Sequence, residues 1–430
     1  MKIKVKKISF EEMQKITPPK RKKPFKQSVI LRILIKILSA VNLNLLRFRY
    51  EKINLESVKN EPCLILMNHS SFIDLEIAAH LLFPKRFSIV CTSDAFVGLE
   101  LLLRFLGCIP TKKFVSDPSL ISDMKYALKT LKSNVVMYPE ASYSFDGTAT
   151  ALPRKLGLLL KKLDVPVCMI KTEGAFSRQP LYNCLKIRKV PISATMECLL
   201  TREEIKEKSV DELDAILDNA FTYDHFRWQQ ENKIEINEPF RAEGLERILF
   251  KCPHCLAENR MKSSNVTVKC ENCGAEYELD IYGSLNCLNK PAKFNHVPDW
   301  YSWERSEVKN ELLSSDYYFN EKVRIYTLID FKAIYDIGEG YLTHTSEGFS
   351  LKGCEGKLDF SLPANACYGL YADYYWYEIA DIICIGNNKQ LYYCLPENNV
   401  SVAKVRMATE ELYKIKRAER LAKRKKTAKI

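Results

Sequence analysis

Residues 63–74 read Cys63-Leu64-Ile65-Leu66-Met67-Asn68-His69-Ser70-Ser71-Phe72-Ile73-Asp74. The apolar run from Cys63 to Met67 predicts a short buried strand, and the polar residues Asn68 to Ser71 end it. From Phe72 onward Ile73, Ile77, Leu81 and Leu82 recur at helical spacing, so a helix follows the turn. Ser71 with Asp74 three residues later resembles a capping box, which predicts a helix start at or near Ser71. His69 then sits on the turn and Asp74 in the first helical turn. A carboxylate placed there can accept a hydrogen bond from one imidazole nitrogen, fix the tautomer and leave the other nitrogen as a general base. Such a pair is the base half of a catalytic triad whose nucleophile comes from the substrate. The same residues also suit a plain helix cap beside a structural histidine.

Outward from this turn, apolar strands alternate with helices as far as residue 221. Strands are predicted at 87–91, 108–114, 135–138, 165–170 and 193–200. Helices are predicted at 97–105 (closed by Gly107), 117–132, 153–163, 202–208 and 211–221. This alternation predicts an α/β fold, a mixed or parallel sheet flanked by helices, with active residues at strand ends.

Asn68 to Asp74 resembles the H-x-x-x-x-D motif of the glycerolipid acyltransferase family, leading Asn included. Three further blocks follow in that family's order. Gly107 to Lys113 resembles the second, a Gly followed six residues later by a base, here Lys113. Tyr138-Pro139-Glu140-Ala141-Ser142-Tyr143-Ser144 resembles the third, commonly Phe-Pro-Glu-Gly-Thr-Arg-Ser, and Val165-Pro166-Val167 the start of the fourth. The resemblance covers roughly residues 30–230. It implies catalytic roles for His69 and Asp74 and substrate-binding roles for Asn68, Lys113, Glu140 and Ser142. The implied reaction moves a fatty acyl group from a thioester of coenzyme A or acyl carrier protein to the hydroxyl of a lysophospholipid or 1-acylglycerol-3-phosphate. It needs neither an acyl-enzyme nor a metal, and no Gly-x-Ser-x-Gly elbow is present. Three departures stand out: Ala141 for Gly, Tyr143 for Arg, and Met169 for the fourth block's usual Pro. Loss of that Arg removes a bidentate phosphate clamp.

The 430 residues suffice for two or three domains with real cores. Fifteen Cys without a secretory signal pattern predict a reducing compartment, hence a cytoplasmic protein on the cytoplasmic face of the membrane. Residues 1–50 hold 14 Lys/Arg against 2 Glu, and residues 401–430 hold 11 against 3, leaving the body mildly acidic. Basic ends of this kind suit an anionic surface, lipid or nucleic acid. Within residues 28–46, Ser28, Arg32, Lys36 and Ser39 make one polar stripe on an otherwise apolar helix. Its two charges sit mid-segment, which predicts a helix lying in the interface, with Lys20 to Lys23 and Lys26 reaching lipid phosphates. The alternative is an amphipathic helix packed on the core, and both hold if different faces serve them.

Cys252-x-x-Cys255, fourteen residues, then Cys270-x-x-Cys273 place four thiolates at the spacing of a closed, structural zinc ribbon. Residues 262–269 and 277–281 read as its β arms. The ribbon lacks a dense basic-aromatic face, which disfavours nucleic acid and suggests a spacer or docking module. The order of acyltransferase domain, ribbon and C-terminal domain is similar to that of some bacterial lysophospholipid acyltransferases. Residues 286–315 read as a linker with a charged helix, and from 323 short strands with Gly turns predict a small β-rich, PH-like domain closed by a helix. The expected units are thus 1–50 membrane-associating, 51–240 acyltransferase, 248–285 ribbon, 286–315 linker, 316–408 β-rich and 409–430 basic tail helix. Two rival functions stand beside acyl transfer: a catalytically silent lipid-binding scaffold and a nucleic-acid binder.

Overall fold

The computed structural model describes residues 3–115, 117–398 and 400–427. A short strand β1 (Val5–Lys7) and helix α1 (Phe10–Gln14) precede the long helix α2 (Val29–Leu45). The α/β part runs β2 (Arg49–Ile53), β3 (Leu64–Met67), α3 (Ile73–Leu82), β4 (Phe87–Thr92), α4 (Glu100–Phe105), β5 (Cys108–Thr111) and α5 (Pro118–Lys125). It continues through β6 (Asn134–Met137), α6 (Leu156–Leu163), β7 (Val167–Glu173), α7 (Ala175–Arg178), β8 (Ser193–Leu200), α8 (Arg202–Glu207), α9 (Val210–Ala220) and α10 (His225–Glu231).

Its seven strands lie in the order β2-β8-β7-β3-β6-β4-β5. The five from β7 to β5 are parallel, while β2 and β8 run together against them. Strand β3 is central and wholly buried, as a continuous apolar run in a sheet covered on both faces must be. Alternate residues supply the two layers. Leu64 and Leu66 pack with Leu160 and Leu213 on one face, and Ile65 and Met67 with Ile77 and Leu81 on the other. The turn after β3 therefore opens at the C-terminal edge of the sheet. Two local expectations change. Helix α3 starts at Ile73, near Ser71 as expected, but only half of the capping box forms: the Ser71 amide donates to Asp74, while the Ser71 hydroxyl has no partner among the described residues. Helix α4 starts three residues later than predicted, because Gly98, with φ 74°, holds residues 97–99 in a turn.

The ribbon follows as β9 (Met261–Ser264), β10 (Thr267–Cys270), β11 (Glu276–Leu279) and β12 (Leu285–Cys287), an antiparallel sheet in order β12-β11-β10-β9. It is not a spacer. Val268, Tyr277 and Leu279 join Trp300, Val308 and the C-terminal sheet in one continuous core. The expected linker is likewise structural. Most of it is helix α11 (Val297–Ser314), which buries Trp300, Tyr301, Glu304 and Val308 because its aromatics face the ribbon.

Strands β13 (Phe319–Leu328), β14 (Ile334–Thr345), β15 (Gly348–Gly353), β16 (Leu358–Pro363), β17 (Tyr371–Trp376), β18 (Ala380–Gly386) and β19 (Leu391–Pro396) form an antiparallel sheet in order β16-β15-β14-β13-β19-β18-β17. Helix α12 (Val402–Thr427) closes the chain. Here the expected boundaries move at both ends. Strand β1 pairs in parallel with β14, and Phe10 and Met13 enter the common core, so the first residues complete the C-terminal sheet rather than a membrane segment. The expected tail begins inside the fold: Thr409, Glu410, Glu411 and Leu412 are buried, and residues 417–424 are exposed. Residues 428–430 of that tail lie outside the described residues.

Candidate active site

His69 and Asp74 meet. The His69 Nδ1 and the Asp74 Oδ2 lie 3.2 Å apart, and the same oxygen accepts from the amides of Ser70 (2.8 Å) and Ser71 (3.1 Å). The carboxylate that was expected to cap α3 instead ties down the whole turn. That bond commits Nδ1 and leaves Nε2 for a substrate proton. Asp74 is 1 % exposed and His69 17 %, so the imidazole reaches solvent while its brace does not. Burial lowers the His69 pKa below the ordinary 6.5, against the raising effect of Asp74, and the nearby Lys113 charge adds to the lowering. The ring is therefore neutral, and competent as a base, at neutral pH.

Two phenols hold the imidazole like a slice between plates. Tyr138 stacks on one side with ring centroids 4.0 Å apart and Tyr143 lies at 4.0 Å as well. Tyr143 stands where the third block's Arg was expected; an aromatic face replaces a cation there. Burial keeps both phenols un-ionised far above their usual range.

Of the expected substrate-binding residues, three turn inward. Asn68 is fully buried, its Oδ1 accepting from the Thr172 amide (2.8 Å) and hydroxyl (3.2 Å), so it rivets the turn to β7. Ser142 is 2 % exposed and its Oγ has no partner among the described residues. Glu140 is fully buried and accepts from the His69 amide (3.2 Å), the Thr150 amide (2.8 Å) and hydroxyl (3.2 Å), and the Tyr223 hydroxyl (2.7 Å). It orders three segments around the site instead of facing a cleft. Only Lys113 stays half-exposed beside His69, its Nζ 4.1 Å from the centre of the Tyr371 ring. Glu140→Ala strands four donors and is expected to cost about 3–5 kcal/mol in a urea titration.

Ala141 has φ 58°, the left-handed region where the resembled pattern carries Gly. The strain this departure stores is about 1 kcal/mol. Ala141→Gly is expected to raise the unfolding free energy by up to about 1 kcal/mol, less the added entropy of the unfolded chain.

Residues missed from the sequence brace the site from afar. His225, buried on α10, lies with Nε2 3.3 Å from the Ser70 Oγ and stacks on Phe176. Arg406 of α12 donates to the Tyr143 carbonyl (3.4 Å) and covers Phe145. Tyr143 itself was visible as a departure from the third block; the other two carry no sequence signal, being more than 150 positions away.

The four Cys cluster as their spacing predicts. Their sulfurs all lie within 4.8 Å of one another, with Cys252–Cys273 and Cys255–Cys270 each at 3.7 Å. A tetrahedral ion with metal–sulfur bonds of about 2.3 Å needs sulfurs about 3.8 Å apart. The donor set thus fits a metal such as zinc. His254 turns away to the Tyr277 hydroxyl (2.9 Å).

A histidine braced by a carboxylate and partly open to solvent has the arrangement a general base needs. Residues 49–170 match the family model described as Acyltransferase, and the chain carries a domain of that family there, as its four blocks implied. Among solved structures the chain is similar to the 1-acyl-sn-glycerophosphate (LPA) acyltransferase PlsC from Thermotoga maritima. That similarity has 15 % identity and a TM-score of 0.33, over 44 % of this chain and 78 % of that one. No curated protein matches the chain.

Proposed function

We propose that the chain is an O-acyltransferase that uses a fatty acyl thioester, of coenzyme A or acyl carrier protein, to acylate the hydroxyl of a lysolipid, of the lysophospholipid type, at a membrane surface. The observation that carries this reading is the His69–Asp74 contact at 3.2 Å beneath a partly open imidazole. His69 Nε2 takes the proton of the acceptor hydroxyl as its oxygen attacks the thioester carbonyl carbon. The carbon–sulfur bond breaks, the imidazolium gives its proton to the departing thiolate, and the products are an ester and a free thiol. Asp74 holds the ring and stabilises its charged form. A silent scaffold would not need so costly a buried carboxylate aimed at one ring nitrogen. Zinc in the four-Cys cluster would be structural, since all four ligand positions are thiolates.

Helix α2 supports the membrane part. Its polar stripe is turned onto the protein: Ser39 is buried, Lys36 Nζ donates to the His80 carbonyl (3.3 Å) and Asn42 Nδ2 to Glu76 (2.7 Å). Its apolar face is left outside, with Ile30 78 % and Leu38 61 % exposed, and Leu101 and Phe105 of α4 extend it. Phe72, exposed beside the catalytic turn, sets its ring edge-on to Tyr143 (6.0 Å between centroids). None of the described helices is long and apolar enough to cross a membrane. A face this large lies in the headgroup region. The nearby cations are partly spoken for, Arg21 pairing with Asp123 and Lys22 with Glu100, so the apolar face carries the binding more than the expected basic run. The double change Ile30→Asp and Leu38→Asp is expected to weaken liposome binding at least about tenfold, each side chain being worth about 1.5–3 kcal/mol when buried in lipid. Its thermal unfolding should match the unaltered chain; vesicle sedimentation reads the difference. Incubating the protein with membrane lipid extract and a labelled acyl thioester tests the function itself: label appearing only as free fatty acid, or on no lipid, overturns it.

A further inference from the structure

Ser70 is held at both of its polar groups. Its amide donates to the Asp74 oxygen that braces His69, and its hydroxyl lies between the Asn68 Nδ2 (3.2 Å) and the His225 Nε2 (3.3 Å). The hydrogens of this chain of contacts can be counted. The Thr172 amide donates to the Asn68 Oδ1 (2.8 Å), and the Thr172 carbonyl accepts from the Asn68 Nδ2 (3.1 Å). A donor on one side and an acceptor on the other fix which end of the Asn68 side chain is nitrogen. The second Nδ2 hydrogen goes to the Ser70 Oγ, which therefore accepts and must send its own hydrogen elsewhere. Among the described residues the one acceptor within its reach is the His225 Nε2. The His225 ring is thus the Nδ1–H tautomer, with Nε2 bare toward Ser70. Asn68, Ser70 and His225 are all buried, so bulk water does not compete for these bonds.

The fold keeps the ring in this place. The His225 amide donates to the Gly147 carbonyl (2.9 Å), and the imidazole stacks on Phe176 with centroids 5.4 Å and planes 8° apart. Burial pushes the His225 pKa down to about 4, against the pull of Asp224 and with the help of Lys171, so at neutral pH the ring is uncharged and Nε2 stays an acceptor.

We propose that His225 is a positioning residue for the base: by accepting the Ser70 hydroxyl hydrogen it keeps the Ser70 amide on Asp74, and through Asp74 keeps the His69 ring aimed at the acceptor hydroxyl. The proposal rests on the acyl-transfer reading for its effect on rate, whereas the tautomer it requires is readable without any substrate. His225 touches no reacting atom. Without its Nε2 the buried hydroxyl must turn away to find another acceptor, and the turn that carries His69 shifts with it. A displaced general base costs rate rather than substrate affinity. A merely structural His225 would act only as a flat ring against Phe176, and a phenyl ring does that equally well.

Two measurements on the purified full chain test this. With nitrogen-15 label in its histidines, His225 (assigned by the signal lost in His225→Gln) is expected to show a bare Nε2 and a protonated Nδ1 at neutral pH. A protonated Nε2 overturns the proposal. Next, kcat and KM for labelled palmitoyl coenzyme A are measured with membrane lipid extract as acceptor. His225→Phe keeps the stack and loses the acceptor, and is expected to lower kcat about tenfold, the worth of one hydrogen bond, with KM changed by less than about twofold. His225→Gln sets its amide oxygen near where Nε2 stood and should recover most of the rate; His225→Asn reaches only the Nδ1 position and should not. Ser70→Ala is expected to lose a similar factor, and the double change with His225→Phe no more than either alone, because both act through one bond. A roughly hundredfold loss in the double variant, equal kcat in the Gln and Asn variants, or full kcat in His225→Phe overturns the proposal. Should the Phe variant fail to fold, the Gln and Asn pair decides by itself. Label on no lipid with the unaltered chain overturns the acyl-transfer reading and, with it, the role in rate, whatever the spectrum shows.

Discussion

Replacing His69 by alanine is expected to lower kcat for acyl transfer by about 10²–10⁴-fold, the contribution of a positioned general base. The fold should survive, because the imidazole is only partly buried and the turn is held by Asp74 through the Ser70 and Ser71 amides, not through the ring. Asp74→Asn is expected to harm both, since it weakens those amide bonds and leaves the tautomer unfixed. The pH profile gives an independent reading. The base works only when neutral, so kcat/KM falls as the pH drops through its pKa. Burial holds that pKa below the ordinary 6.5, which puts the acid limb of the profile below pH 6.5. An acid limb at or above that value, or a His69→Ala protein with full kcat, would remove His69 from the mechanism.

Loss of the metal should have the largest effect on stability. Cys270 ends β10 inside a core that runs unbroken from the ribbon through Trp300 to the C-terminal sheet. Structural zinc contributes on the order of 10 kcal/mol to the folding of isolated zinc modules. In this chain Cys270→Ser is expected to reduce bound zinc from about one ion per chain to near none, by elemental analysis, and to destabilise by on the order of 5–10 kcal/mol. Activity should fall with it, since α12 (through Arg406) and the β17 hairpin shore up the loop around Tyr143 and Lys113. A zinc-free variant with unaltered thermal unfolding and kcat would show the cluster to be dispensable.

What was legible in the sequence was local. Period and composition located β3, its turn and α3, because a strand buried on both faces and a helix with one apolar side leave distinct patterns. His69 and Asp74 are five positions apart on one turn, so their contact needs no tertiary knowledge. The four Cys announced their cluster because each pair sits on its own short knuckle. The polar stripe of α2 was equally plain, yet which way it faced was not: an apolar stripe reads alike whether it meets a core or a lipid.

Everything that depends on distant segments meeting was closed to the sequence. Burial of Glu140 and Asn68 follows from Tyr223 and Thr172 arriving beside them, and nothing local encodes those partners. The pairing of β1 with β14 joins residues more than 300 positions apart, and the hydrogen bonds of Tyr371 and Trp376 to Asp94 span a similar distance. A one-dimensional pattern records how each residue prefers to be solvated. Which charge ends up beside which is settled only when the layers close, and the surroundings of Lys113 and His69 were settled there.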